Sequence, residues 1–182
     1  PKDTPVRNLV FRGLTFTRAD RFPWHGRTGW GLQHDWERFD SPTAMVRLRG
    51  AEDCRIQDCH FTTAGSSGLR LDLHCQNNHI VGNHLEHLGG VAILLAGYGP
   101  GTKDVNRRNE VTDNLVHHVG ELYWGSPAIF VWQSGENRVA HNLVHHVPYS
   151  GICVTGRIVW DPNGLGECSR TVRWREVGGL EG

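Results

Sequence analysis

The chain of 182 residues balances 19 basic against 19 acidic side chains. Zero formal charge excludes a nucleic-acid or anionic-membrane partner held by bulk electrostatics. No apolar run is long enough to span a bilayer, and a hydrophobic fraction of 38% with 23 glycines suits one elongated domain around a narrow core.

The first element is a strand-like run, Arg7 to Phe16, which reads as a second or third strand of a repeating unit. Because the chain starts there without Met, carries no recognisable signal peptide and closes on another strand-like run, Arg170 to Val177, it is expected to be a fragment whose caps lie in flanking sequence. An aromatic-rich insertion follows at 19–42, with Phe22, Trp24, Trp30, Trp36 and Phe39. Four related segments come next. Asn-Leu-Val-His-His-Val occurs at Asn114 to Val119 and again at Asn142 to Val147, with weaker copies at Cys59 to Ala64 and Asn83 to Leu88. Their anchors Cys59, Asn83, Asn114 and Asn142 lie 24, 31 and 28 residues apart. Phe61, Leu85, Val116 and Val144 form one apolar column, and Ile56, Ile80, Val111 and Val139 another.

The pieces between anchors are short, rich in Val, Ile and Leu, and punctuated by Gly, Asn and Pro, which specifies strands. The last full unit reads as Ala128 to Trp132, Asn137 to His141 and Leu143 to Val147, with Asn142 in the turn between the last two. Units of three short strands stack into three parallel sheets at about 4.8 Å per coil. The predicted fold is all-β, a right-handed parallel β-helix solenoid occupying 1–182 as a single domain, with insertions at 19–42, 97–108 and 120–126. In it, Asn83, Asn114 and Asn142 form a ladder of amide hydrogen bonds, ended by Cys59. Five cysteines make no disulfide framework; Cys54 and Cys75, about one coil apart, are the one candidate pair. No Asn-x-Ser/Thr sequon is present.

Function in a solenoid gathers where the coil is decorated. Alternation from inward Leu71, Leu73, Ile129, Val131, Ile152 and Val154 puts Arg70, Asp72, His74, Phe130 and Trp132 on the outer face of the first sheet. Phe130 and Trp132 there suggest a platform for the apolar face of a sugar; the competing reading is that loop 19–42 covers them as a satellite core. Histidine is in excess at 12 residues. Thr63, His87, His118 and His146 share a column at the end of the third strand, beside Thr62, Glu86, His117 and His145. Neither His-His pair has a recognised ligand spacing, so no metal and no cofactor is expected; His118 and His146 are candidates for proton transfer.

The stretch from Gly120 to Asn137, followed by His141-Asn142 and by His145 to Ile152, resembles the pectin-lyase-like β-helix proteins, specifically those similar to glycoside hydrolase family 141; Pro5 to Phe16 resembles the opening strand of the same family. The likeness runs from about Pro5 to Gly156. It implies a secreted carbohydrate-active enzyme, with fucosidase and xylanase activities both attributed to that family. The chain departs from it at His145-His146, where relatives commonly show His-Asp.

Hydrolysis of a glycosidic bond needs two carboxyl groups flanking it. Asp72 on the first sheet and Glu121 in the overhanging loop are the expected pair, with Glu86 and Asp161 in reserve; Asp58 and Asp113 are read as structural. Arg70, His74, Tyr123, Trp124, Phe130, Trp132, Tyr149 and Trp30 are the expected substrate contacts. The expected partner is a plant or algal polysaccharide or oligosaccharide, bound by a secreted monomer. A polysaccharide lyase with Arg70 as base is the second reading: the only lysines are Lys2 and Lys103, and no carboxylate cluster marks a calcium site. A non-catalytic glycan-binding β-helix is the third.

Overall fold

The computed structural model describes residues 4–21, 44–98, 103 and 105–155. The first coil holds β1 (Val6–Arg7), β2 (Val10–Arg12) and β3 (Thr15–Ala19), and the second β4 (Ala44–Glu52), β5 (Arg55–Gln57) and β6 (His60–Ala64). The third has β7 (Ser67–Gln76), β8 (His79–Val81) and β9 (His84–Leu88). In the fourth, β10 (Ile93–Ala96) and β11 (Asn106–Arg107) flank an insertion and precede β12 (Glu110–Thr112) and β13 (Leu115–Val119). The fifth holds β14 (Ile129–Trp132), β15 (Arg138–Ala140) and β16 (Leu143–His145), and β17 (Ile152–Thr155) opens a sixth.

Strands stack in register into three parallel sheets: β1-β4-β7-β10-β14-β17 with β11 beside β7, β2-β5-β8-β12-β15, and β3-β6-β9-β13-β16. The predicted coil of three strands is therefore the observed one, with boundaries trimmed by a residue or two. The apolar columns fill the interior. Phe61, Leu85, Val116, Ile56, Ile80 and Val111 are all buried in one core cluster, and the Phe16 and Phe61 rings stack at 4.8 Å, the spacing of successive coils.

Two asparagine ladders run through the corners. In the predicted one, Asn83 Nδ2 donates to Asn114 Oδ1 at 3.0 Å and Asn114 Nδ2 to Asn142 Oδ1 at 2.9 Å, while the Cys59 amide donates to Asn83 Oδ1 at 3.0 Å. Each amide also reaches a carbonyl of the preceding coil, as Asn114 does to Ile80 O at 3.0 Å. A second ladder, Cys54, Asn78, Asn109 and Asn137, repeats the pattern at the other corner of the second sheet. The residues just before both ladders turn through the left-handed region, among them Asp58 (φ 52), Asp113 (φ 59), Asp53 (φ 53) and Asn77 (φ 54). Asn and Asp tolerate that region better than most residues, so the structural reading of Asp58 and Asp113 stands.

The cysteines among the described residues are packing residues. Cys54, Cys59, Cys75 and Cys153 are free, and the expected Cys54–Cys75 bridge is not formed. The thiols of Cys54, Cys59 and Cys75 donate instead to backbone carbonyls, Cys54 to Glu52 at 3.3 Å, Cys59 to Gln57 at 3.2 Å and Cys75 to Leu48 at 3.4 Å. Strand alternation also breaks within β7. Leu73 has φ 53, so the chain bulges there and Cys75 joins the interior cluster while Leu73 does not. Insertion 19–42 lies outside the described residues beyond Arg21, as do parts of 97–108 and the run 170–177.

Candidate functional site

The outer face of the first sheet is closed. Asp72 is 0% exposed and sits between two guanidiniums: Arg47 Nε donates to Oδ2 at 2.7 Å and Arg70 Nε to Oδ1 at 3.2 Å. Arg70 is itself buried, and His74 is engaged by Glu52 at 2.7 Å. Asp72 and Arg70 are thus held inside an ion-pair centre that solvent does not reach and His74 is engaged with Glu52, so the structure does not present them as the accessible catalytic carboxylate and substrate contacts expected from the sequence. Phe130 and Trp132, at 2% and 5% exposure, pack with Val91, Leu94 and Ala96 and so offer no exposed platform, while the loop expected to cover them lies outside the described residues beyond Arg21.

Glu121 belongs to a different surface. The 120–126 insertion folds back on the preceding coil, where Leu122 N and Tyr123 N both donate to Gly89 O at 3.1 and 2.7 Å. Glu121 Oε1 then lies 3.1 Å from His87 Nδ1, on the third sheet. Asp72 and Glu121 are therefore not a pair. Tyr123 is partly buried beside Glu121, its hydroxyl pushed up by burial against the charge of Arg21 and a hydrogen bond to Ser66, while Trp124 and Tyr149 are exposed at 59% and 49%. Trp30, Asp161 and Lys2 lie outside the described residues.

What the fold assembles is the outer face of the third sheet. Parallel register aligns Thr62, Glu86, His117 and His145 in one column. The next residue in each strand has a positive φ: Thr63 (56), His87 (49), His118 (50) and His146 (50). This bulge breaks strict alternation, so two successive side chains face outward before Ala64, Leu88 and Val119 return to the core. The result is a double row of imidazoles. His117 stacks on His145 at 4.8 Å and His118 on His146 at 4.9 Å, while within each coil the two rings meet edge-on. His60 and His84 extend the surface as a stacked pair at 4.8 Å.

Glu86 is the hub. Its Oε1 lies 2.9 Å from His60 Nε2, and its Oε2 lies 3.7, 3.6 and 3.9 Å from the Nε2 atoms of His84, His117 and His87. Burial pushes the Glu86 carboxyl up, but the His60 hydrogen bond and the charges of His84, His60 and His117 outweigh it, and the group ionises below its usual range. Burial first, then the neighbouring imidazoles, hold His117 below the usual histidine value against the opposing pull of Glu86. His117 sits within a chain of ring contacts: its Nε2 is 2.8 Å from His84 Nε2 and its Nδ1 is 2.8 Å from His118 Nδ1, and in each contact one nitrogen donates and the other accepts. His60, His84 and Glu86 also offer one ligand atom each within 4.8 Å of one another. His118 and His146, singled out in the sequence, stand on this surface, whereas His60, His84 and His117 were not proposed as site residues.

Three stacked parallel sheets with asparagine-laddered corners and one decorated outer face define a right-handed parallel β-helix. Residues 44–157 match the family described as right handed beta helix region, more than half of the chain, and the protein belongs to that family. No curated protein and no solved structure matches the chain.

Proposed function

We propose that this β-helix acts on a plant or algal polysaccharide as a glycoside hydrolase, with the saccharide lying along the outer face of the third sheet. The observation that carries the reading is the placement of two carboxylates, Glu86 and Glu121, on either side of the His87 ring, 3.9 and 3.1 Å from its two nitrogens. Retaining and inverting hydrolases need their carboxyl groups about 5 to 9.5 Å apart, a span that one imidazole between them fits. Glu121, 45% exposed, is the group able to approach a glycosidic oxygen as acid; Glu86 is the opposing carboxylate. Trp124 and Tyr149 supply exposed aromatic surface for sugar rings.

The resemblance of residues 120–152 to glycoside hydrolase family 141 supports the reaction class, and with it secretion. One observation favours a second reading, a glycan-binding module without turnover: His145-His146 stands where the resembled family carries His-Asp. Incubation with a glycan panel and analysis of product ends by mass spectrometry separates the readings. Hydrated ends, lost by a factor of about 10² or more in Glu121→Gln, support hydrolysis. Unsaturated ends indicate a lyase, and an unchanged panel with measurable glycan retention indicates a binding module.

A further inference from the structure

We infer that His84, His117 and Glu86 form a binding site for a divalent transition-metal ion of the zinc class. The three ligand atoms, His84 Nε2, His117 Nε2 and Glu86 Oε2, stand 2.8, 3.7 and 3.6 Å apart. A tetrahedral zinc shell with bonds of about 2.0–2.1 Å has ligand-to-ligand edges of about 3.3 Å, so these three atoms already outline one face of it. Two imidazoles and one carboxylate are the donor set that such ions prefer, and the fourth position faces outward, because His84 retains 38% side-chain exposure and Glu86 20%.

The surroundings fit a ligand set. His60 Nε2 fixes the second oxygen of Glu86 at 2.9 Å, leaving Oε2 to point at the two rings. Binding requires both Nε2 lone pairs, so the proton now shared between His84 and His117 must leave or move to a ring Nδ1. For His117 that atom already has a partner, His118 Nδ1 at 2.8 Å, whose ring is held by stacking on His146. Such outer contacts orient metal-ligating histidines. The ligands come from successive coils, so the site exists only where parallel register brings β9 and β13 side by side.

A metal on Glu86 would bar that carboxylate from acting directly on a sugar, so the two proposals compete for Glu86, and the test reads metal binding alone, which needs no glycan. Chelator-stripped full-length protein is titrated with zinc chloride by calorimetry and equilibrium dialysis at neutral pH. One equivalent is expected to be retained. Glu86→Gln and His84→Asn should each weaken binding at least tenfold, His60→Gln by about tenfold through Glu86 orientation, and His141→Asn should leave it unchanged. Circular dichroism confirms the fold of each variant, and cobalt(II) titration of the unmodified protein gives a readout that needs no variant. A tetrahedral cobalt spectrum supports the site. Failure to retain zinc, equal retention by Glu86→Gln, or a cobalt spectrum of the hydrated octahedral ion would overturn it.

Discussion

Replacing Asn114 by Ala tests the corner ladder at its best-buried rung. Asn114 is 1% exposed, and its side chain makes four hydrogen bonds: Oδ1 accepts from Asn83 N at 2.9 Å and Asn83 Nδ2 at 3.0 Å, and Nδ2 donates to Ile80 O at 3.0 Å and Asn142 Oδ1 at 2.9 Å. Truncation strips the Asn83 amide of this acceptor and the Ile80 carbonyl of this donor, both inside the coil. Asn83 Nδ2 keeps Ile56 O at 3.0 Å, and Asn142 Oδ1 keeps the Asn114 amide at 3.1 Å, so these two lose less. At about 1–3 kcal/mol for each buried group left without its partner, the expected loss is about 3–5 kcal/mol. That is a large part of the 5–15 kcal/mol typical of a domain. Asn142→Ala, at a half-buried rung where water replaces the lost contacts, should cost only about 1–2 kcal/mol. Urea unfolding followed by far-ultraviolet circular dichroism measures both, with m compared so that a change in cooperativity is not mistaken for a change in stability. A loss below about 1 kcal/mol for Asn114→Ala, or equal losses at the two rungs, would refute the view that the buried ladder holds the coils in register.

Asp72→Asn removes the negative partner of Arg70 and Arg47 and should destabilise by about 3 kcal/mol, while turnover per folded molecule stays unchanged; lost turnover at full stability would restore Asp72 to the site. Hydrogen bonding by His74, set against burial and helped by Arg7, holds the Glu52 carboxyl below its ordinary value of 4.5. A lowered folded value stabilises above the unfolded value and is lost as pH falls through the folded one, so melting temperature should drop as pH falls below about 4.5, and less steeply in Glu52→Gln. Equal slopes in the two proteins would count against the pairing. At Gly89 an added Cβ would meet Gly65 O at 2.3 Å, so Gly89→Ala should force backbone apart, cost about 1–3 kcal/mol and speed amide exchange at Leu122 and Tyr123; unchanged exchange there would contradict the docking of the loop. Burial, partly offset by backbone hydrogen bonds, pushes the Cys75 thiol up to about 12, so iodoacetamide at pH 8 should label it only after unfolding.

The sequence by itself determined the coil. Recurring apolar pairs such as Ile80 with Leu85 and Val111 with Val116 demand an interior, and Asn83, Asn114 and Asn142 demand a repeated polar corner, because both patterns are local and survive irregular loop lengths. The second ladder was equally legible, since Asn78, Asn109 and Asn137 each precede a member of the first by the same interval. Alternation alone misplaced Leu73, because a left-handed residue interrupts the regular turning of side chains from one face to the other. Tertiary structure decided the rest. Arg47 reaches Asp72 only across neighbouring strands, which turns an apparent surface carboxylate into a buried ion-pair centre. His84 and His117 lie 33 residues apart in the chain yet 2.8 Å apart at their Nε2 atoms, a juxtaposition that no local ligand spacing encodes. The physical reason is that a parallel solenoid makes neighbours of residues one coil apart, and the length of each coil depends on insertions whose folding only the packed structure fixes.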